Sequence, residues 1–344
     1  MNIPTPEFQI QFLSNVQRLL SDGQFVATYK FALLLALADI CVEGGEDTDA
    51  TLTIHTRKIA EKFIQYYWRQ SKPYLGQGVL RQNTGREAGV VRLLRDEAAM
   101  NGSLLSIKRD ENRWMRLIGE VASIVKDMPL WKLQTVGDAQ VDFLYPVTGS
   151  GQVIDLHPGV MYCFRKFHSL ISDLVRGAWV RYIRRFNCDA LGSSSDLDQF
   201  LFGTERASLN VFGPILVEIQ GGRCFYCQKG IAQNDSRHID HFVPWERYPV
   251  DLGHNFVLAH EKCNLSKSDH LAAVSHLKRW AERNRSADAY FRDRFEKVGI
   301  SHNLVVSTAI TRWAYANASA MGAPLWIRNR EFEPITPDWV HFLN

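Results

Sequence analysis

Two ligand pairs of identical spacing constrain this chain more than any other feature. Cys224 and Cys227 are separated by two residues, and His260 and Cys263 repeat the interval further on. A pair at that spacing can turn two donors toward one ion. Three thiolates and an imidazole make a tetrahedral, borderline-soft set that suits a structural Zn2+. The plain alternative is two buried core cysteines and a surface histidine. C-x-x-C alone carries little weight; its pairing with H-x-x-C carries the reading. The gap between the pairs is long for a zinc finger, so something else should be folded inside it.

Within that gap, Asp240-His241 ends a short apolar strand pattern and Pro244 forces a turn soon after. Asn255 begins a second apolar run, Phe256 to Ala259, and Asn264 follows the last ligand where a helix should start. Strand, loop, strand and helix bearing Asp-His, Asn and Asn in this order resembles the HNH endonuclease family, whose core is the ββα-metal fold. Lys267 matches the x-x-K ending of the family pattern, and the ligand pairs flank the core as in its zinc-bearing members. His260 stands where cysteine is more usual, and imidazole is a good zinc ligand. Asn264 stands in place of a final histidine and keeps an oxygen donor. The resemblance covers residues 215 to 280 and does not reach the rest of the chain.

The resemblance implies metal-dependent hydrolysis of DNA phosphodiesters, leaving a 5′-phosphate and a 3′-hydroxyl. The residue types support it independently. Histidine takes a proton near neutral pH, so His241 is the expected general base. A hard cation neutralises charge developing on the phosphate. The Asp240 carboxylate and the Asn264 carbonyl oxygen suit Mg2+ or Mn2+. Asn255 would orient the imidazole or its loop, and Lys267 would contact a phosphate. His238 shares a strand face with Asp240 by the period of two, as a substrate or metal contact or as a support. His254 and His270 read as solvated loop residues.

Composition frames the remainder. At 344 residues the chain has material for about two domains. Hydrophobic residues make up 46% and charged residues 22%, enough for a sizeable core. Net charge is +3, from 40 Lys and Arg against 37 Asp and Glu. A nucleic-acid surface must therefore be a local patch. Cys41, Cys163 and Cys188, outside the clip, read as plain buried thiols and not as a disulfide framework. No signal-peptide pattern stands at the start, and the run from Phe31 to Ala38 is too short to span a bilayer. A reduced, cytoplasmic compartment is expected, with no membrane association.

Four segments are expected. Residues 1–102 read as a helical domain, with helices over Phe8–Leu20, Tyr29–Val42, Thr56–Gln70 and Glu87–Met100. The basic loop Arg81–Arg86 is either solvated or DNA-facing. Residues 103–205 combine a small antiparallel sheet with a long basic helix. Its strands are expected at Leu104–Ile107, Trp131–Leu133, Val141–Tyr145 and Val153–Leu156. The helix, Gly159 to Phe186, carries Arg165, Lys166, Arg176, Arg181, Arg184 and Arg185 against Asp173 alone. Arg165 and Arg176 lie eleven residues apart and would share a face. With Arg184 they are the candidate DNA-backbone contacts outside the nuclease core; snorkelling and helix-dipole partnership are the plain alternatives. Gly192–Asp196 reads as a linker. Residues 206–280 form the nuclease module. Residues 281–344 form a C-terminal helical segment with an irregular tail from Gly322.

The chain therefore reads as an α+β protein, mostly α-helical, with a zinc-stabilised HNH module embedded between helical segments. Double-stranded DNA is the expected partner, in restriction or phage defence. Two other readings stay open: a catalytically silent zinc scaffold that binds DNA or protein, and a nuclease effector activated by a sensor or ATPase partner. One HNH site cuts one strand, so a double-strand break takes two encounters or a homodimer.

Overall fold

Two helices open the chain, α1 (Pro6–Asp22) and α2 (Tyr29–Gly44). Every residue of α2 from Lys30 to Glu43 is buried, as a helix apolar all round must be. It is the centre of the first of two units, residues 1–203 and 204–344. The computed structural model describes residues 2–23, 25–76, 78–85, 87–146, 151–191, 196–203, 211–232 and 237–343. Arg86 and the expected linker at 192–195 lie outside them. Among the described residues no helix is long and apolar enough to cross a membrane.

The first unit packs helices around α2. After β1 (Thr53–His55) come α3 (Thr56–Gln70), α4 (Gly89–Asn101), α5 (Leu104–Arg109), α6 (Glu111–Asp127) and α7 (Pro129–Lys132). β2 (Thr135–Val136), β3 (Ala139–Gln140) and β4 (Val153–Asp155) follow, then α8 (Val160–Lys166), α9 (His168–Phe186), α10 (Cys188–Leu191) and α11 (Leu197–Phe202). α3, α8 and α9 lie directly on α2. The two acids buried on α2 are paired: Asp39 accepts from Tyr66 Oη at 2.6 Å and His168 Nε2 at 2.8 Å, and Glu43 from Lys62 Nζ at 2.6 Å.

The sheet expected over residues 103–157 is mostly absent. Leu104–Ile107 lies in α5, started by Ser103, whose hydroxyl accepts from the Ser106 amide at 3.1 Å. Trp131–Leu133 falls on α7 and its C-cap, with Pro129 in the first turn. Val141–Tyr145 forms no strand. Gln134 Oε1 instead accepts from the Phe143 and Leu144 amides at 3.0 and 2.6 Å, replacing a strand partner. Only the last run is a strand: β4 pairs antiparallel with β1, Ile154 opposite Ile54. The long basic helix is two helices, interrupted at Phe167 (φ −108°, ψ 19°).

The second unit runs α12 (Phe212–Ile219), β5 (Arg237–His241), a 3-10 turn (Gly253–Asn255), β6 (Phe256–His260) and α13 (Glu261–Lys267). Then come α14 (Val274–Ser286), α15 (Asp288–Val298), α16 (Leu304–Ala320), β7 (Leu325–Arg328), β8 (Glu331–Glu333) and a final 3-10 turn (Pro337–Phe342). β5 and β6 are antiparallel, with Asp240 opposite Val257 and His241 opposite Phe256. α13 packs on both strands, which completes a ββα unit. The tail from Gly322 is ordered as the β7–β8 hairpin, where an irregular segment is expected. Trp326 on β7 exchanges hydrogen bonds with the segment before α14, its amide donating to Leu271 O at 2.8 Å and its carbonyl accepting from the Ala273 amide at 2.7 Å.

Candidate metal clip and catalytic hairpin

Cys224 and Cys227 sit on a tight knuckle. The Cys224 amide donates to Lys229 O, and the Gln228 amide to Cys224 O, both at 2.9 Å. Gln228 takes a positive φ of 62° to close the turn. The Phe225 amide donates to Leu258 O at 2.8 Å, which fixes the knuckle against β6. His260 ends β6 and Cys263 lies in the first turn of α13. The donor atoms of Cys224, Cys227, His260 and Cys263 all lie within 4.8 Å of one another. His260 Nε2 reaches Gly230 O at 3.2 Å, so it carries the proton and leaves Nδ1, 3.3 Å from Cys227 Sγ, as the ligating atom. Burial and the neighbouring Cys224 and Cys227 push the Cys263 thiol up to about 12. A bound dication would favour its thiolate instead. The Cys3His set therefore suits zinc.

The hairpin inside the clip carries the candidate catalytic residues. Asp240 and His241 are the last two residues of β5, where the strand gives way to the loop. The His241 ring lies between Trp245 and Phe256, with centroids 5.5 and 4.6 Å away, and 13% of its side chain stays open. His241 Nε2 donates to Asp251 Oδ1 at 2.9 Å. Asp251 is absent from the sequence reading; its only signal is an acid in the loop between the two strands. Asn255 clamps that loop: its side chain accepts from the Val243 amide at 2.8 Å and donates to Val243 O at 3.0 Å. The loop is held from behind by α14, where Trp280 Nε1, Arg283 Nη2 and Asn284 Nδ2 all donate to His254 O at 2.9 to 3.1 Å.

Asp240 is buried. Its Oδ2 accepts from Tyr226 Oη at 2.5 Å and lies 3.1 Å from Lys267 Nζ. Burial and the Asp240 charge push the Tyr226 phenol well above its ordinary range, so it remains a donor. Lys267 is fully buried and also donates to His241 O at 2.9 Å. It ties α13 to the end of β5 and is not placed to touch a phosphate, contrary to expectation. Asn264 stands half-buried on α13, three residues before Lys267 and so on the same side of the helix. His238, half-exposed, lies 3.8 Å from Glu261 Oε1.

Three further expectations are corrected. His254 is not solvated: it is fully buried among Phe291, Phe295 and His302, its Nε2 3.4 Å from Asp288 Oδ1, and burial pushes its pKa down to about 4. His270 is half-buried against the Phe332 ring. Arg165 is buried in the first unit, where its guanidinium binds Asp47 at 2.7 Å and the Cys41 and Val42 carbonyls at 3.0 and 3.1 Å. It caps the end of α2 and cannot meet DNA. The break at Phe167 also removes the face it would share with Arg176, which is half-buried over the Phe202 ring. Arg184 is exposed at the end of α9.

Residues 224–270 match the HNH endonuclease family, which spans both ligand pairs, the hairpin and α13 and points to nuclease-type activity. No curated protein and no solved structure matches the chain. Residues 9–200 match a second family, described as Domain of unknown function (DUF8808). That match covers more than half of the 344 residues and nearly all of the first unit, so the chain belongs to the DUF8808 family and carries an HNH segment in its second unit.

Proposed function

We propose that the second unit, with its module at residues 206–280, is a divalent-metal-dependent endonuclease that hydrolyses DNA phosphodiester bonds. The observation that carries this reading is the His241–Asp251 pair at the end of β5. Asp251 accepts the Nε2 proton, which leaves Nδ1 as the basic nitrogen and fixes the ring. The imidazole then takes a proton from water as the water attacks phosphorus. Asn255 holds the loop on which the geometry depends. Asp240 and Asn264 would hold Mg2+ or Mn2+, which neutralises charge on the phosphate when bound. Asp240 Oδ1 takes no partner among the described residues, so one carboxylate oxygen remains for a cation. A role in restriction or phage defence fits such an activity.

A second reading draws on the same carboxylate. Lys267 already sets a positive charge against Asp240, as would suit a zinc-held binding module without catalysis. Plasmid cleavage decides between them. The purified chain should nick or linearise DNA with Mg2+ or Mn2+ and not with EDTA, and His241→Ala should lose about 10²-fold or more in rate. Cleavage by folded, zinc-loaded His241→Ala at the parent rate would refute the assigned base. No cleavage by the parent under either metal would favour the binding module.

A further inference from the structure

We propose that the C-terminal end of α9, in the DUF8808 unit, is a docking surface for the phosphate backbone of double-stranded DNA. The choice of partner rests on the nuclease reading; the surface itself rests on the geometry of the first unit. Arg181, Arg184 and Arg185 are all exposed and stand at i, i+3 and i+4, so they share one face. No carboxylate among the described residues pairs with any of them. Like charges at these spacings repel, so the arrangement works against α9 in isolation. The helix dipole accounts for Arg184 and Arg185, which lie in the last turn. It does not account for Arg181, since the dipole's pull fades beyond that turn.

A fourth cation is brought to the same place by a separate segment. Asn187, the residue that ends α9, accepts from the Arg81 amide at 2.7 Å and donates to Arg81 O at 3.0 Å. These two bonds staple the loop of exposed Arg81 to the end of the helix. The Arg185 guanidinium lies 5.5 Å over the Phe186 ring, which in turn packs on Tyr182 at 4.8 Å. The exposed acid next in sequence is Asp189, on α10. Three exposed, unpaired guanidinium groups on one face of α9, with the loop of exposed Arg81 held beside them, make a local positive surface on a chain of net charge only +3. Planar guanidinium forks match phosphate oxygens, and such contacts position a duplex without reading its sequence.

The test is equilibrium binding of a fluorescent duplex of about 30 base pairs, sized to give several phosphate contacts. The full chain is used in its His241→Ala form, so that cleavage does not intrude. Reversing Arg181, Arg184 and Arg185 to Glu should weaken binding by at least about tenfold and lower the slope of log Kd against log salt by about 3. The same three changed to Lys should keep most of both. Circular dichroism checks that the exposed substitutions leave the fold intact. Unchanged affinity and slope in the folded Glu variant would overturn the surface, and tighter binding of a matched RNA duplex would overturn DNA as the partner. The two proposals fail separately. A parent that never cuts but loses duplex binding in the Glu variant sinks the nuclease reading alone. A parent that cuts while the Glu variant binds normally sinks the surface alone.

Discussion

Three residues show how position converts a charge into a role. Asp251 makes no contact with DNA in the mechanism proposed; it fixes which imidazole nitrogen holds the proton. Asp251→Asn should lower kcat by about 10²-fold with KM unchanged, a loss typical of a displaced catalytic group. Equal loss in KM would point to a binding role instead. Lys267 has the opposite character. Removing its ammonium would leave the buried Asp240 charge with Tyr226 as its remaining partner, so Lys267→Met should cost about 3–5 kcal/mol in urea unfolding. A surface phosphate contact would cost nothing there. Arg165→Ala should likewise act on stability, by about 1–3 kcal/mol as the Cys41 and Val42 carbonyls lose a buried donor, and should leave the salt dependence of DNA binding untouched.

At the scale of elements, the ββα unit depends on what braces it. His254 sits at the turn into β6 and is buried as the neutral ring, with Arg283 and His302 nearby opposing its protonation and Asp288 favouring it. Its folded pKa of about 4 lies below the ordinary 6.5, so unfolding takes up a proton between those values. The stability present above pH 6.5 should fall as pH drops toward 4, by up to about 1.4 kcal/mol per pH unit. Urea midpoints at pH 7 and pH 5 measure this, and His254→Phe should flatten the difference. How far the sequence discloses such things follows from what each signal encodes. The clip and the order Asp240, His241, Asn255, Asn264 are legible because spacing and strand–turn–strand patterning are local. Whether Lys267 and Arg165 point inward or outward is tertiary, and charge alone does not say. A four-residue apolar run such as Leu104–Ile107 fits strand or helix equally, and the Ser103 cap decides it. β1 is invisible until β4, some hundred residues on, supplies its partner.

On the scale of the whole molecule, the chain joins an HNH segment to a larger helical unit of the DUF8808 family. If the α9 surface grips DNA, the division of labour is simple: the first unit supplies affinity without sequence preference and the second supplies chemistry. The two ligand pairs add a constraint of another kind. One pair precedes β5 and the other straddles the junction of β6 and α13, so an ion held there would close a ring of chain that contains Asp240, His241, Asp251 and Asn255. Stripping zinc with a chelator, or changing Cys227 to Ser, should therefore abolish cleavage and loosen the second unit together, seen as a lowered melting temperature and zinc below one ion per chain. Unchanged melting would show the clip to be ornamental. The same closure sets an order of assembly. Until Cys263 has left the ribosome and an ion has been captured, Asp240, His241, Asp251 and Asn255 lie on an unclosed segment of chain. Capture of an ion would thus be the step that fixes the hairpin's two ends together.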